Sequence, residues 1–105
     1  MIEATGSLRG ISFRLDGGVV TFTAPGQLGG PVSFPVRNIT SIQFAEAKGG
    51  LLPKQGRITV KTTDPLQSLV GGHWMPFWLS QQAGVEAFKR ALESAWRSAQ
   101  GGGTP

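Results

Sequence analysis

The chain has 105 residues, enough for one domain with a single modest core. It contains no Cys and one His, which excludes disulfides, thiolate metal sites and zinc sites built from several imidazoles. The formal charge is +4, and residues 1–61 carry the whole excess, with seven Lys or Arg against three Asp or Glu. A basic region attracts phosphate, anionic lipid or an acidic protein face. These cations form no continuous tract, so they also suit an ordinary solvated surface.

The N-terminus shows no targeting signal. Residues 1–6 lack the basic and apolar regions of a signal peptide, and no window approaches the roughly 18 consecutive apolar residues of a membrane span. We therefore expect a cytoplasmic domain without a transmembrane segment. Residues 1–9 are interpreted as an N-terminal extension, residues 10–100 as the domain, and residues 101–105 as a Gly-rich disordered tail.

The first two predicted strands form a hairpin. Apolar and polar residues alternate over residues 10–16, which is the period of a half-buried strand. Gly17-Gly18 predicts a two-residue turn, because both glycines can adopt positive φ. The chain returns over residues 19–24, with Val20 and Phe22 facing the core.

Three further strands are predicted downstream of this hairpin. Residues 32–36 alternate in the same way, and Pro35 places this strand at a sheet edge or at its own end. Ile42 and Phe44 mark a fourth strand, and residues 57–62 form a fifth. On the fifth strand two side chains face inward and three face outward: Ile58 and Val60, and Arg57, Thr59 and Lys61.

The stretch between the fifth strand and the C-terminal region is less regular. Residues 64–70 fit either a loop or one helical turn. Residues 73–79 are too apolar to lie wholly in solvent, and Pro76 indicates a bent or edge strand. The aromatic residues of this stretch, Trp74 and Trp78 among them, either fill the sheet core or form the centre of an interface.

One amphipathic helix is predicted over residues 81–100. Its apolar residues recur at spacings of three and four and form a single stripe: Val85, Phe88, Leu92, Ala95, Trp96 and Ala99. Ser80 is the expected N-cap, and Gly101 to Gly103 end the helix. The pairs Glu86–Arg90 and Glu93–Arg97 have favourable spacing, but each adds only a few tenths of a kcal/mol. The apolar stripe must therefore supply the docking energy.

The order of these elements resembles a pleckstrin-homology-like (PH-like) superfold. The segments that carry the likeness are GISFRLDG (10–17), FPVRNITSIQF (34–44), GRITV (56–60), FWL (77–79) and FKRAL (88–92). They are similar to bacterial PH-like domains of unknown function, which are widespread in actinobacteria and their phages. The resemblance implies an α+β fold, a curled antiparallel β-sandwich or barrel of about seven short strands capped by one C-terminal amphipathic helix. It transfers no catalytic residue, and residues 64–76 depart from the family pattern.

The sequence offers little that points to catalysis. His73 is the only imidazole, and a histidine in an apolar run is usually structural. There is no G-x-S-x-G motif, and the Gly-rich residues 26–30 lack the Lys-Ser/Thr of a P-loop. The carboxylates are also far apart in sequence. We therefore expect no enzymatic activity, no catalytic residue, no cofactor and no metal.

Three binding functions remain open from the sequence. A protein partner, or a second copy of the chain, fits Trp74 and Trp78, because Trp is enriched at interface centres. The PH-like resemblance implies an alternative in which phosphates or anionic lipid headgroups bind basic loops at the open end of the barrel. The candidate residues for that alternative are Arg14, Lys48, Lys54 and Arg57. Nucleic-acid binding is the third possibility, but no recognition motif is visible and most aromatics alternate inward. We expect the protein partner or self-association.

Overall fold

The structure, a computed structural model, describes residues 1–27, 30–64 and 72–101. Within these ranges the chain forms seven strands, two 3₁₀ turns and one α-helix. The strands are β1 (Ile2–Thr5), β2 (Ser12–Asp16), β3 (Val19–Thr23), β4 (Val32–Pro35), β5 (Ile39–Ala45), β6 (Gly56–Thr62) and β7 (His73–Phe77). The 3₁₀ turns are Val36–Asn38 and Leu79–Gln81, and the helix α1 is Gln82–Gly101.

The strands form two antiparallel sheets. The first sheet has the order β1-β2-β3-β4 and the second has the order β5-β6-β7, and neither closes on itself within the described ranges. The predicted α+β class is therefore confirmed. The edge position predicted from Pro35 is also confirmed, since this residue ends β4 at the margin of the first sheet.

The Gly17-Gly18 turn forms as the sequence predicts. Both residues have positive φ, 59° and 79°. The turn joins β2 to β3 in a register that sets Asp16 opposite Val19 and Leu15 opposite Val20. This register places Phe13, Leu15, Val20 and Phe22 on the buried face as predicted, and Val19 faces solvent. A slip of one residue would move these side chains to the opposite faces.

The N-terminal residues contribute a strand that the sequence did not reveal. β1 pairs with β2 along its whole length, and Ala4, which is buried, lies opposite Phe13. Only two apolar side chains alternate in this four-residue segment, too few for a clear period. Beyond β1, the N–H of Ser7 donates to the carbonyl oxygen of Pro76 at 2.8 Å. The segment interpreted as an extension thus joins the first sheet and meets the second at β7.

One core lies between the two sheets and the helix. Phe13 of β2 contacts Phe22 with ring centroids 4.7 Å apart and stacks on Phe88 of α1 at 5.8 Å. The largest fully buried side chains come from both sheets and from the helix: Phe13, Val20, Ile58, Val60, Met75, Phe77, Val85, Phe88 and Leu92. The inward assignments of Val20, Phe22, Ile58 and Val60 are all confirmed.

The predicted apolar stripe holds α1 against β1, the 36–38 turn and β5. Its first three residues are buried, Ala95 and Trp96 are partly buried, and Ala99 is exposed. Trp96 adds a polar anchor, because its Nε1–H donates to the carbonyl oxygen of Ile39 at 2.9 Å. The stripe is confirmed except at Ala99, which is exposed.

The predicted N-cap at Ser80 is wrong. Ser80 lies inside the 3₁₀ turn Leu79–Gln81, and the cap position belongs to Trp78. The side-chain oxygen of Gln81 accepts the backbone N–H of Trp78 at 2.9 Å. The 3₁₀ turn lies between β7 and α1, so this capping contact is made two residues before Ser80.

The predicted ion pairs on the helix also differ from those in the described residues. Glu93 pairs with Lys89 at 3.3 Å, and Glu86 accepts a hydrogen bond from Gln82 at 3.2 Å. The ammonium group of Lys89 also lies 5.6 Å from the ring centroid of Phe44. This contact with β5 holds the lysine where it meets Glu93, one turn further along the helix. The choice between a loop and a helical turn at residues 64–70 falls, apart from residue 64, outside the described residues, as do residues 102–105.

Candidate functional site

The aromatic segment of β7 divides between core and surface. Met75 and Phe77 are fully buried, whereas Trp74 is 45% exposed and Trp78 just beyond the strand is 43% exposed. Side chains on a strand alternate between its two faces, so both interpretations of this segment hold, each for different residues. The two tryptophans named as binding candidates are the aromatic residues of the segment that reach solvent.

Trp74 belongs to what we call the outer face of the second sheet, the side turned away from the core. Its members follow from the register of β5, β6 and β7: Ser41, Gln43, Ala45, Arg57, Thr59, Lys61, Trp74 and Pro76. This face carries two cations, Arg57 and Lys61, and no carboxylate. Lys61 is partly exposed and Arg57 is exposed.

Arg57 and Trp74 meet on this outer face. The guanidinium carbon of Arg57 lies 5.8 Å from the centroid of the Trp74 ring, within the range of a cation–π contact. Thr59, predicted to face outward, does lie on this face but is only 7% exposed, because Gln43 and Trp74 flank it on the neighbouring strands. A depression of about 230 Å³ lies beside Arg57, between β5 and β6.

Trp74 itself lines a second depression, together with residues of the first sheet. It has a volume of about 340 Å³, and its lining is mostly apolar, including Ile11, Phe22 and His73. His73 is itself buried, with its ring stacked on Phe34 at 5.1 Å and tilted against Phe22 at 5.3 Å. Burial lowers the pKa of this imidazole, and the charge of Asp64 opposes the shift less strongly. The histidine joins the two sheets.

The connection between β5 and β6 forms an extended hairpin whose end we call the hairpin tip, residues 48–54. Lys48 and Lys54 face each other across it, with two backbone N–H to carbonyl hydrogen bonds of 2.8 and 2.9 Å. Leu51 and Leu52 are 101% and 90% exposed. The sequence analysis does not predict two fully exposed neighbouring leucines. Their position between a Gly pair and a Pro is nevertheless typical of a loop end, where side chains reach solvent.

The base of the hairpin tip is attached to the start of α1. The backbone N–H of Ala47 donates to the Gln82 side-chain oxygen at 2.8 Å. A Cβ at Gly49 would lie 3.0 Å from a methyl carbon of Leu79, so this half-exposed leucine lies against the tip. Trp78 precedes Leu79 in the chain. The tip and the end of β7 therefore share one end of the second sheet.

The four cations named from the sequence do not form one cluster. Lys48 and Lys54 stand together at the hairpin tip, and Arg57 is paired with Trp74. Arg14 lies on the first sheet, where Glu3 and Thr21 are its neighbours on β1 and β3. The structure thus separates the predicted residues into a sheet-face pair, a tip pair and an isolated arginine.

Comparisons of the chain with protein-family models, with curated proteins and with solved structures find no match. In residues 1–27, 30–64 and 72–101, no three His, Asp or Glu side chains are grouped so that they could hold a metal ion. Across the same described part of the chain, no helix is both long enough and apolar enough to span a bilayer.

Proposed function

We propose that this chain is a non-catalytic, PH-like interaction module that binds an acidic segment of a partner protein on the outer face of the second sheet. The order of seven described strands followed by one helix supports the PH-like part of the proposal. The Arg57–Trp74 pair is the observation that carries the binding part.

The Arg57–Trp74 pair has the residue types and the fixed side-chain orientation that are expected at the centre of an interface. Trp and Arg are the residue types most enriched among side chains that dominate binding energy. The cation–π contact orients the exposed indole before any partner arrives, so less side-chain entropy is lost on binding. The apolar depression of about 340 Å³ beside Trp74 would accept an anchoring side chain of the partner.

The charge of the face selects an acidic partner. Arg57 and Lys61 are its only ionisable members, so a segment with Asp or Glu meets complementary charge. The same cations disfavour a symmetric dimer through this face, because a two-fold interface would bring like charges together. A partner protein is therefore preferred over a second copy of the chain.

The test is affinity capture from the source cell with matched variants, followed by titration of the purified captured protein. Arg57→Ala and Trp74→Ala remove the proposed centre, and Arg14→Ala removes an arginine from the outer face of the first sheet. We expect Trp74→Ala to weaken binding by at least about tenfold and Arg57→Ala by several-fold, with Arg14→Ala unchanged. Raised salt should weaken the wild-type interaction.

Circular dichroism of each variant separates lost binding from lost folding. The proposal is wrong if no protein is captured, or if the captured protein binds Trp74→Ala as tightly as wild type. It is also wrong if Arg14→Ala reduces binding as much as Arg57→Ala does.

A further inference from the structure

We propose that the hairpin tip is a second, separate binding element that inserts Leu51 and Leu52 into a lipid surface bearing anionic headgroups. The two leucines are 101% and 90% exposed and adjacent in the chain. Exposed apolar side chains are common singly, but such a pair at the end of a projecting hairpin is unusual for a surface that meets only water.

The charge around the leucines complements anionic lipid. Lys48 and Lys54 occupy opposite sides of the hairpin at the level where the tip begins, and both are exposed. Residues 47–56 contain no carboxylate, and Glu46 is the nearest one in the sequence. Lysines in this position would reach headgroup phosphates while the leucines between them enter the acyl boundary.

The tip is held in place before it meets a surface. Two backbone hydrogen bonds join Lys48 to Lys54, and the hydrogen bond from Ala47 to Gln82 ties the base of the hairpin to α1. Pro53 fixes one φ angle within the tip. Insertion therefore requires little ordering of the chain, which lowers the entropic cost of binding.

Neighbouring residues extend the apolar surface at the same end. Leu79 lies against the tip at Gly49 and is 50% exposed, and Trp78 adjoins it in the chain with 43% exposure. Trp is the residue most typical of the boundary between headgroups and acyl chains. Trp78 thus has a distinct setting from Trp74, which pairs with Arg57 on the sheet face.

A lipid surface fits this shape better than a protein does. The tip is convex, and Leu51 and Leu52 have almost no neighbouring protein surface, so a protein partner would have to supply a complete apolar pocket flanked by acids. A lipid layer surrounds any projecting side chain and supplies negative charge around it. The proposal needs no change in the fold, because the leucines make no contribution to the core.

The experiment is co-sedimentation of the full chain with vesicles of phosphatidylcholine alone and with about 30% phosphatidylserine added. We expect wild type to sediment with the anionic vesicles and much less with the neutral ones. The double variant Leu51→Ser/Leu52→Ser, whose charge is unchanged, should lose at least about tenfold in affinity. Lys48→Gln/Lys54→Gln should lose several-fold on anionic vesicles and become insensitive to salt.

Val19→Ser is the matched control, because Val19 is an exposed apolar residue next to the Gly17-Gly18 turn of the first sheet. It should bind vesicles as wild type does, and so should Trp74→Ala, which keeps this result distinct from the protein-binding test. The chain has no Cys, so Leu52→Cys can carry a single environment-sensitive dye whose emission should shift to the blue on anionic vesicles.

Three outcomes would overturn the proposal. The first is a wild-type chain that does not sediment with anionic vesicles. The second is a double leucine variant that sediments as well as wild type. The third is a wild-type dimer, seen by light scattering, that Leu51→Ser/Leu52→Ser converts to a monomer, in which case a second copy of the chain covers the tip.

Discussion

The two sheets share one core but turn very different outer faces to solvent. The first sheet displays short hydroxyl side chains and nearly balanced charge, with Glu3, Arg14 and Asp16 on its outer side and a 2.9 Å contact between the Thr21 and Ser33 hydroxyls. The second displays two cations, no carboxylate and a half-exposed tryptophan. Similar inner patterns thus coexist with outer faces that differ in charge and in exposed aromatic surface.

The hairpins of the two sheets differ in the same direction. The β2–β3 hairpin turns within two glycines and ends beside Asp16. The β5–β6 hairpin continues past its sheet and exposes Leu51 and Leu52 between two lysines. A fold that needed only to connect two strands could use the shorter turn in both places. The longer one adds two exposed leucines and two lysines to the second sheet, the sheet for which binding is proposed.

The two outer faces can be compared only if the two sheets share a single core. Phe88→Ala tests this shared core and has the largest expected effect on stability. Phe88 is fully buried and stacks on Phe13 of the first sheet. Its truncation should lower the free energy of unfolding by about 3–5 kcal/mol. Urea unfolding should follow one transition by far-UV circular dichroism and by fluorescence of Trp74, Trp78 and Trp96, which lie outside the first sheet.

Ser98→Ala, an exposed helix position, is the control and should change stability by less than about 0.5 kcal/mol. Two separate transitions in Phe88→Ala would mean that the sheets unfold independently. The contrast between two faces of one core would then have no basis.

A smaller effect is expected at the root of the second sheet's hairpin. A Cβ at Gly56 would lie 2.5 Å from the Ala45 carbonyl oxygen and 2.6 Å from the Phe77 ring. Gly56→Ala should therefore destabilise the protein by about 1–3 kcal/mol, as overpacking does. Gly84→Ala is the matched control, because a Cβ there meets nothing within 4 Å and the helix gains up to about 1 kcal/mol.

The stabilities of the two glycine variants are compared by their urea unfolding midpoints. The dependence of the unfolding free energy on urea concentration should be the same as in wild type. Opposite signs for the two substitutions are the expected result. Equal and small effects would show that the backbone at the hairpin root has room to move, and the hairpin tip would then be less firmly held than the contacts indicate.

The smallest effect concerns pH and the contact between the sheets at His73. Burial holds the pKa of His73 below its ordinary value of 6.5. As the pH falls below 6.5, the imidazole is therefore protonated more readily in the unfolded chain than in the folded chain. The stabilising contribution of the neutral ring is complete above pH 6.5 and is lost as the pH falls through 6.5 towards the lower folded pKa. Urea midpoints should fall between about pH 7.5 and pH 5.5.

His73→Phe keeps an aromatic ring between Phe22 and Phe34 and should remove most of this pH dependence. If the wild-type midpoint stays constant or rises as the pH falls, then the imidazole is not held neutral by burial. His73 would then not report on the contact between the sheets.

Much of the fold could be predicted from the sequence, because its elements are set by local patterns. Alternation identified β2, β3 and β6, the Gly17-Gly18 pair identified its turn, and the 3.6-residue stripe identified α1. Four features were not predicted correctly: β1, the helix cap, the partners of Glu86 and Glu93, and the exposure of Ala99. Four residues of β1 carry too little period to recognise, and the cap depends on how closely β7 is joined to the helix.

The candidate sites were only partly predictable. The sequence predicts Trp74, Trp78, Arg57 and the lysine pair as candidates, but it does not predict how they are grouped. The PH-like resemblance groups Arg14 with the other cations, whereas the structure places it on the first sheet. The sequence does not predict the exposure of Leu51 and Leu52, because leucines occur both in cores and on surfaces.

The sequence by itself determined which segments become strands and helix, and which of their side chains face the core. These follow from period and turn chemistry within a few residues. Only the tertiary structure decided that Arg57 meets Trp74, that Lys48 meets Lys54, and that two leucines remain uncovered. Such neighbours are set by strand register and by packing between distant segments, which no local pattern contains.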